Sequence, residues 1–385
     1  MSPVFLPARG GIETMTHALA RGLPASGVRV AALEEDGWRA FDAEQPFPVV
    51  RAANDPRGGR GAILRLNALT VRDALRERPD VLLAMHIKAA PACAVLSAAL
   101  DVPFAVYLHA KELPEHPRLG AFAVHHAAAS IAVSRYTEEL ARRAGAAPAR
   151  LHRIPPGVDL PAAAPMSDGR RPILVTVARL EDENKGHDIV IEALPRMLQA
   201  VPSLRWVVIG DGRLRPRLES RARALGVEGS VDFVGAVDDR TRDEWLGRAA
   251  VYVMPTRRPA DGRGGEGFGI AYVEAAARGT PAVGTAVPGV VDAVEDGETG
   301  ILVPDPATPE SVAGAVIELL ADGDRAQRLG ERARRRAASF GWPVVCAQVG
   351  AVLDSIAGAR PVSRAGARRA RRALWPVDLL RPPRG

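Results

Sequence analysis

The chain has 385 residues, more than one hydrophobic core usually holds, so two domains are expected. Its 47% hydrophobic and 25% charged residues are typical of globular proteins and exclude a disordered chain, a fibrous repeat and a disulfide scaffold. The formal net charge of +6 comes from residues 360–385, where there are eight arginines and one acidic residue, so we expect no nucleic-acid partner.

The cysteine pattern and the apolar stretches indicate a cytoplasmic protein. Cys93 and Cys346 lie in apolar runs without metal-ligand spacing, which favours a reducing compartment. The longest apolar stretch, residues 89–100, is shorter than the roughly 18 residues of a membrane span. Because Arg9 interrupts the apolar start, no signal peptide is predicted.

Short apolar runs alternate with amphipathic stretches along the chain, a pattern typical of parallel sheets covered by helices. The first half predicts strands at residues 28–33, 81–85, 104–108 and 131–133, and helices at 12–21, 62–76, 90–100 and 136–144. Four prolines between residues 154 and 165 then predict a linker.

The alternation resumes after the linker. Strands are predicted at residues 173–178, 205–209, 231–234, 251–254, 282–283 and 301–303, and helices at 189–200, 214–225, 240–248, 269–277, 309–321, 325–338 and 344–356. We therefore predict an α/β protein with two doubly wound domains, 1–160 and 161–340, a helix in 341–358 and a basic tail over 359–385. Ligands of such sheets bind at the carboxyl ends of the strands.

A glycine-rich stretch before the helix at 269–277 carries two carboxylates eight residues apart, Glu266 and Glu274. The backbone N–H groups of Phe268, Gly269 and Ile270 would point out of the helix start, where the helix dipole favours anions and polar oxygens. The carboxylates could accept hydrogen bonds from the paired hydroxyls of a sugar or a ribose. A solvated helix with an acidic first turn is the alternative interpretation.

Two cations follow the first strand of the second domain, Arg179 at once and Lys185 six residues later. Cations at the carboxyl end of a strand suit a diphosphate, which arginine binds through two parallel hydrogen bonds. The alternative is a pair of surface cations partnered by the acidic residues 181–183. Lys185 is one of three lysines among 51 basic residues, which favours the first interpretation.

The first domain offers fewer candidates. His109 lies at the carboxyl end of a strand and could hydrogen-bond a substrate, although a lone histidine is more often structural. Gly10 and Gly11 directly precede a helix and could hold a phosphate or a sugar ring. His125 and His126 lack a third ligand in a metal-site spacing, so no metal site is predicted.

Taken in order, these motifs resemble the retaining, nucleotide-sugar-dependent glycosyltransferases of GT-B fold, a family that includes phosphatidylinositol mannosyltransferases and bacterial glycogen synthases. The resemblance rests on residues 10–13, 108–109, 133–136, 156–159, 178–186, 209–212, 233–235, 266–274 and 296–300. It implies two Rossmann-like domains that face each other across a cleft, and a last helix that crosses back to the first domain.

The resemblance also implies roles for the candidate residues of the second domain. Glu266 would hold the hydroxyls of the donor hexose, helped by the amides of residues 268–270, and Glu274 would bind the ribose. Arg179 and Lys185 would neutralise the departing diphosphate. The family transfers the sugar with retention and without an essential metal or cofactor, and the leaving phosphate is usually proposed to help deprotonate the acceptor.

In the first domain, the resemblance implies that Gly10 and Gly11 lie near the diphosphate and that His109 lies against the transferred sugar. Two features depart from the family pattern. Only residues 1–6 precede the glycine loop, so either the start lies upstream or this domain lacks most of its first strand. In a later loop, family members usually have a pair of glycines and an acidic residue, and residues 286–292 differ from that pattern. The donor preference of the family is therefore not applied to this chain.

We expect a hexosyltransferase that builds a glycolipid, a polysaccharide or a related glycan from GDP-mannose or a UDP-hexose. An inactive sugar-nucleotide-binding relative, suggested by the short start, is one alternative. A GT-B epimerase is another, against which the two carboxylates and two cations argue. The basic tail could bind anionic lipid at the inner face of the membrane or remain a solvated end, and both interpretations stay open.

Overall fold

A computed structural model describes residues 1–8, 10–23, 27–54, 59–161, 171–259 and 265–358. The chain divides into two compact units, Met1–Gly157 with the segment that begins at Trp342, and Val158–Gly341. The sequence predicted boundaries at residues 160 and 340. The basic tail lies outside the described residues, and so do residues 260–264 of the glycine-rich stretch.

The first unit contains two parallel sheets, one of two strands and one of four. In chain order the strands are β1 (Val30–Leu33), β2 (Val49–Ala52), β3 (Leu82–Ala84), β4 (Phe104–Leu108), β5 (Ala129–Ala132) and β6 (Leu151–Arg153). β1 pairs with β2, and the larger sheet has the order β3-β4-β5-β6. Every residue of β4 is buried, as expected for a central strand covered on both faces.

The first residues of the chain hydrogen-bond to both sheets. The amino group of Met1 donates to the carbonyl oxygen of Leu83 at 2.7 Å, and the N–H of Ser2 donates to that of Ala31 at 3.0 Å. Among the residues that the structure describes, no strand precedes the first helix. Met1 and Ser2 therefore join β3 to β1 without forming a strand of their own.

Helices precede and separate these strands among the described residues of the first unit. They are α1 (Gly11–Gly22), α2 (Trp38–Ala43), α3 (Arg60–Glu77), α4 (Ala90–Leu100), α5 (Glu112–Glu115), α6 (Pro117–His126) and α7 (Arg135–Arg143). The local sequence explains where α7 begins, because the hydroxyl of Ser134 accepts the N–H of Thr137 at 3.1 Å.

The second unit is built on one six-stranded parallel sheet. Its strands are β7 (Arg171–Val177), β8 (Arg205–Ile209), β9 (Val231–Gly235), β10 (Ala249–Met254), β11 (Ala282–Thr285) and β12 (Gly300–Val303). They lie in the order β12-β11-β10-β7-β8-β9, which is that of a doubly wound Rossmann sheet. The winding direction reverses between β7 and β10, and ligands of such sheets bind beside the carboxyl ends of the strands at that reversal.

Helices cover this sheet, with apolar clusters packed against it. They are α8 (His187–Ala200), α9 (Arg215–Ala224), α10 (Asp239–Arg248), α11 (Ile270–Ala277), α12 (Val290–Ala293), α13 (Pro309–Ala321) and α14 (Gly323–Ala337). Both units thus have the parallel α/β architecture that the sequence predicts.

The last helix, α15 (Trp342–Ala357), belongs to the first unit although it follows the second in sequence. Its buried side chains Val345 and Val349 share a core with Met15 and Leu19 of α1. In the described part of the chain, no helix is both long and apolar enough to cross a membrane.

Candidate functional site

Arg179 lies at the reversal point of the second sheet. The loop after β7 is fixed by backbone hydrogen bonds, from Ala178 N–H to Ile209 O at 3.0 Å and from Leu180 N–H to Asp211 O at 2.9 Å. Arg179 stands between these two anchored residues with an exposed side chain, and none of the described residues forms an ion pair with it. Its guanidinium is thus a cation with no acidic partner in this part of the molecule.

Two glycines after β8 allow the backbone to pack closely against the loop of Arg179. Gly210 and Gly212 have φ of +131° and +155°, a region that L side chains rarely adopt. A Cβ at Gly210 would overlap the carbonyl oxygen of Ala178, and one at Gly212 would overlap the backbone of Leu180. The two glycines therefore let the connection after β8 pass closely beside the loop of Arg179.

Lys185 and Glu266, 81 residues apart in sequence, form an ion pair. Lys185 ends a 3₁₀ turn (Glu183–Lys185), and its ammonium donates to Glu266 Oε2 at 2.6 Å. The two side chains are 25% and 13% exposed. The turn is held by the hydrogen bond from Arg257 N–H to Asn184 O at 2.8 Å, so the loops after β7 and β10 contact each other here. The structure thus brings together two residues that the sequence analysis identified separately as candidates.

The start of α11 carries the three backbone amides that the sequence predicted. Gly269 precedes the helix with φ +86°, and a Cβ there would lie 2.7 Å from the ring of Tyr272. Phe268 is buried edge-on against Phe340, with ring centroids 5.4 Å apart. Within the described ranges, no acceptor binds the N–H groups of Phe268, Gly269 and Ile270. These donors remain available to a ligand, as first-turn N–H groups of a helix are.

Glu274 lies farther along α11, and its carboxylate has an arginine partner. Arg242 Nη1 of α10 lies 3.3 Å from Glu274 Oε1. Burial raises the pKa of Glu274 above its ordinary value, although Arg242 and Arg278 act in the opposite direction. Arg278 is buried and donates to the carbonyl oxygens of Glu274 at 3.2 Å and of Asp159 at 3.1 Å. The sequence analysis missed Arg242, because with Asp239 and Asp243 beside it on α10 it resembles a residue of any solvated helix face.

Gly289 supports Glu266 from a loop that the sequence analysis noted only as a departure from the family pattern. Its φ is +89°, and a Cβ there would overlap the backbone carbonyl oxygen of Glu266. The loop of residues 286–292 therefore packs directly against the backbone that carries this carboxylate. The Pro-Gly pair at residues 288–289 is the sequence signal for such a close turn.

Gly10, Gly11 and His109 belong to the first unit, whereas the candidate residues described above belong to the second. Gly10 precedes α1 with an extended backbone, and the carboxylate of Glu13 folds over it. A Cβ at Gly11 would have no neighbour within 4 Å, so there is open space beside it. His109 directly follows β4, and its Nε2 lies 3.0 Å from Met85 O. Burial lowers the pKa of His109, which keeps its ring neutral near pH 7.

Sequence comparison adds to this geometry. The model for glycosyl transferases group 1 matches residues 163–336, and that for glycosyltransferase family 4 matches residues 9–161. The phosphatidyl-myo-inositol mannosyltransferase of Mycolicibacterium smegmatis is 30% identical over 375 residues, which cover 93% of either chain. The protein is a GT-B glycosyltransferase family member.

A second relative matches this GT-B family member over a shorter span. The GDP-mannose-dependent α-(1-6)-phosphatidylinositol monomannoside mannosyltransferase of Mycolicibacterium smegmatis is 35% identical over 213 residues, 52% of this chain and 55% of that protein. The chain therefore matches little more than half the length of that relative.

Solved structures agree on the fold. Anabaena HepE in complex with UDP and glucose superimposes with a TM-score of 0.76 at 22% identity, covering 92% of this chain and 98% of that one. Sucrose-phosphate synthase from Thermosynechococcus elongatus gives a TM-score of 0.72 at 21% identity, covering 90% and 92%. At these identities the likeness concerns the fold, and it confirms the predicted GT-B architecture.

Proposed function

We propose that this protein transfers a hexose from a nucleoside-diphosphate sugar to a glycan or glycolipid acceptor, with retention and without an essential metal or cofactor. The observation that supports it best is the Lys185–Glu266 ion pair at the reversal point of the second sheet, beside the N–H groups of residues 268–270, for which the described residues provide no acceptor. A cation, a carboxylate and amide donors are the groups that a diphosphate and sugar hydroxyls require.

In this proposal the second unit stabilises the leaving group. The bond between C1 of the hexose and the β-phosphate oxygen breaks, and its electrons go to that oxygen. The hydroxyl oxygen of the acceptor bonds to C1, and its proton passes to an oxygen of the leaving phosphate. Lys185 and the exposed Arg179 supply positive charge where negative charge develops, which is the largest electrostatic demand of the reaction. Retention is the stereochemistry that the family resemblance implies.

We favour GDP-mannose as the donor and a UDP-hexose as the second choice. GDP-mannose is named for the mannosyltransferase that is 35% identical, and UDP occupies the structure of HepE. Glu266, with its carboxylate fixed by Lys185, would accept hydrogen bonds from the hexose hydroxyls, and the amides of residues 268–270 would donate to donor oxygens. The acceptor would be a glycan or a glycolipid, which fits the inositol lipids named for both mannosyltransferases.

The role proposed for Glu274, binding the ribose hydroxyls, predicts the effect of Arg242→Gln. Burial already raises the pKa of Glu274, and Arg242 opposes that rise. In Arg242→Gln the pKa of Glu274 should therefore be higher still, and the variant should bind ribose less well as the pH falls. We expect affinity for the ribonucleoside diphosphate to drop about ten-fold, or about 1.4 kcal/mol. The 2′,3′-dideoxy analogue should bind the variant and the wild type alike.

Titration calorimetry with both nucleotides checks this prediction. Arg240→Gln is the matched control, since Arg240 is an exposed residue of the same helix. An equal loss of affinity for the ribo and dideoxy nucleotides would show that Arg242 acts on the fold and would contradict the assignment of Glu274 to ribose.

The proposed function itself is tested by thermal unfolding with GDP, UDP, ADP and their sugar conjugates, each with EDTA or with Mg²⁺. A ligand at 100 times its Kd stabilises the folded state by about 2.7 kcal/mol. For a domain of this size that raises Tm by about 5–10 °C. We expect one nucleoside diphosphate to give such a shift, its monophosphate to give less, and EDTA to change neither.

No shift with any nucleotide, from a protein that unfolds cooperatively, would contradict the proposal. A shift without release of nucleoside diphosphate from the matching sugar nucleotide, with or without acceptor, would identify the inactive binding relative instead.

We place the enzyme in the cytoplasm. Contact with an anionic membrane would involve residues 359–385, which the structure does not describe, and it stays a prediction.

A further inference from the structure

A cavity of about 330 Å³ lies in the second unit, beside the start of α8 and along α9. Its wall also includes Glu183 of the 3₁₀ turn after β7 and Arg257 of the loop after β10. This volume is at the lower end of the range of small-molecule pockets, about 300–1,000 Å³. Lys185 and Glu266 are not among the described residues that line the cavity, so it is separate from the candidate donor site.

The cavity wall carries charges of both signs, joined in ion pairs between its segments. Arg257 Nη2 donates to Asp188 Oδ1 of α8 at 2.7 Å, and Arg217 of α9 pairs with Glu183. Arg221 of α9, which also lines the cavity, pairs with a glutamate of α8. An anion would have to compete with two carboxylates here, and a cation with three guanidinium groups. The wall therefore favours a neutral ligand.

Each ion pair leaves hydrogen-bonding groups unused. No hydrogen bond within the described ranges involves Asp188 Oδ2 or Glu183 Oε2, although a carboxylate offers about four lone-pair sites. The side chains of Arg217 and Arg257 each use one of their N–H donors, and a guanidinium has about five. Donors and acceptors thus lie side by side in both pairs. A hydroxyl both donates and accepts, so it can bind such a pair without displacing either partner.

His187 adds an unsatisfied polar atom to the same wall. Its side chain is buried, and its Nε2 has no hydrogen-bond partner among the residues that the structure describes. Burial, with a smaller effect of Lys185, lowers the pKa of His187 to about 4, so its ring is neutral near pH 7. A neutral ring can hydrogen-bond a hydroxyl but does not attract an anion. Leu214 and Leu218 supply apolar surface for the C–H groups of a sugar ring.

We propose that this cavity is a carbohydrate site apart from the donor site, in which the hydroxyls of one sugar unit bind the Arg257–Asp188 and Arg217–Glu183 pairs. The unit is either a free monosaccharide or part of a glycan chain, because both present the same hydroxyls. This site goes beyond the proposed function. Its binding can be measured without nucleotide or turnover, so the result is independent of whether the transferase activity is found.

Saturation-transfer NMR titrations of the full chain with methyl α-D-mannoside test the proposal. We expect Arg257→Gln and Arg217→Gln each to weaken binding about ten-fold, because each loses charge-assisted hydrogen bonds to the sugar. Arg223→Gln is the matched control, since Arg223 is an exposed residue of α9 that does not line the cavity. It should bind like the wild type. All three variants should fold, because exposed ion pairs contribute little to stability.

Glu266→Gln distinguishes this site from the donor site. Its affinity for the mannoside should equal that of the wild type, and a loss of binding would place the sugar in the donor site and overturn the proposal. Failure of the wild type to bind the mannoside at about 50 mM would also overturn it. Unchanged affinity in both Arg257→Gln and Arg217→Gln would have the same meaning.

Two further ligands identify the chemistry of the occupant. Inorganic phosphate should not displace the mannoside, and competition between them would make the cavity an anion site and overturn the proposal. A mannose disaccharide should show the same pattern of variant effects. Tighter binding of the disaccharide would identify the occupant as a unit of a glycan, and equal affinity would identify it as the free monosaccharide.

Discussion

Replacing Lys185 with alanine should lower turnover about 10³-fold, the loss seen when one preorganised donor to a developing negative charge is removed. Within the described residues the ammonium has one partner, Glu266, and the 2.6 Å contact holds it at the reversal point of the second sheet. Because both side chains keep some contact with solvent, the pair contributes about 1 kcal/mol or less to stability. Tm should therefore fall by about 2–4 °C at most.

Single-turnover kinetics and thermal unfolding of the same preparations check this prediction. Arg213→Ala is the matched control, because Arg213 is an exposed cation of the same sheet edge that pairs with Glu181 at 3.6 Å. Glu266→Ala should show a similar loss, and the double variant should lose less than the sum, since the two residues contact each other. A wild-type rate in either single variant would contradict the assignment of both residues to the site.

The course of the backbone could largely be predicted from the sequence. The predicted ranges 90–100, 104–108, 205–209 and 309–321 coincide with α4, β4, β8 and α13. These elements are long or consist almost entirely of apolar residues, so the hydrophobic pattern alone defines them. β2 and β6 were missed, because β2 is only partly buried and β6 has the polar sequence Leu-His-Arg. Their pairing with β1 and β5 comes from the fold rather than from their own residues.

The residue types of the candidate site could be proposed from the sequence, but the contacts between them could not. Cations and carboxylates at strand ends identified Arg179, Lys185 and Glu266, because parallel strands bring their carboxyl ends to one edge. The contact between Lys185 and Glu266 depends on how two loops 81 residues apart meet, which no local pattern encodes. The same holds for Arg242, whose partner Glu274 lies on another helix.

The charges of the two units differ in a way that suits the proposed reaction. In the second unit, Arg179 and Lys185 are cations at a strand edge, as a diphosphate requires. In the first unit, the equivalent edge carries a neutral His109 and the ionised Glu112. A phosphate is thus favoured beside Arg179 and Lys185 rather than beside His109 and Glu112.

Gly289→Ala should lower kcat/KM about 10²-fold and reduce Tm by several degrees. At φ +89° and ψ −53° an alanine is strained by about 1–3 kcal/mol. Its Cβ would also overlap the carbonyl oxygen of Glu266, so the backbone that carries the proposed sugar-binding carboxylate must move. A displacement of about 1 Å in a reacting group is enough to cost about 10² in rate.

Gly297→Ala separates the two causes. Gly297 also has a left-handed φ, +71°, but a Cβ there would meet nothing within 4 Å. Both variants should therefore lose stability from backbone strain, and only Gly289→Ala should lose activity. Thermal unfolding and kcat/KM measured on the two proteins decide the matter. Equal kcat/KM values would mean that the loop of residues 286–292 does not position Glu266, because only a Cβ at Gly289 would overlap the carbonyl oxygen of Glu266.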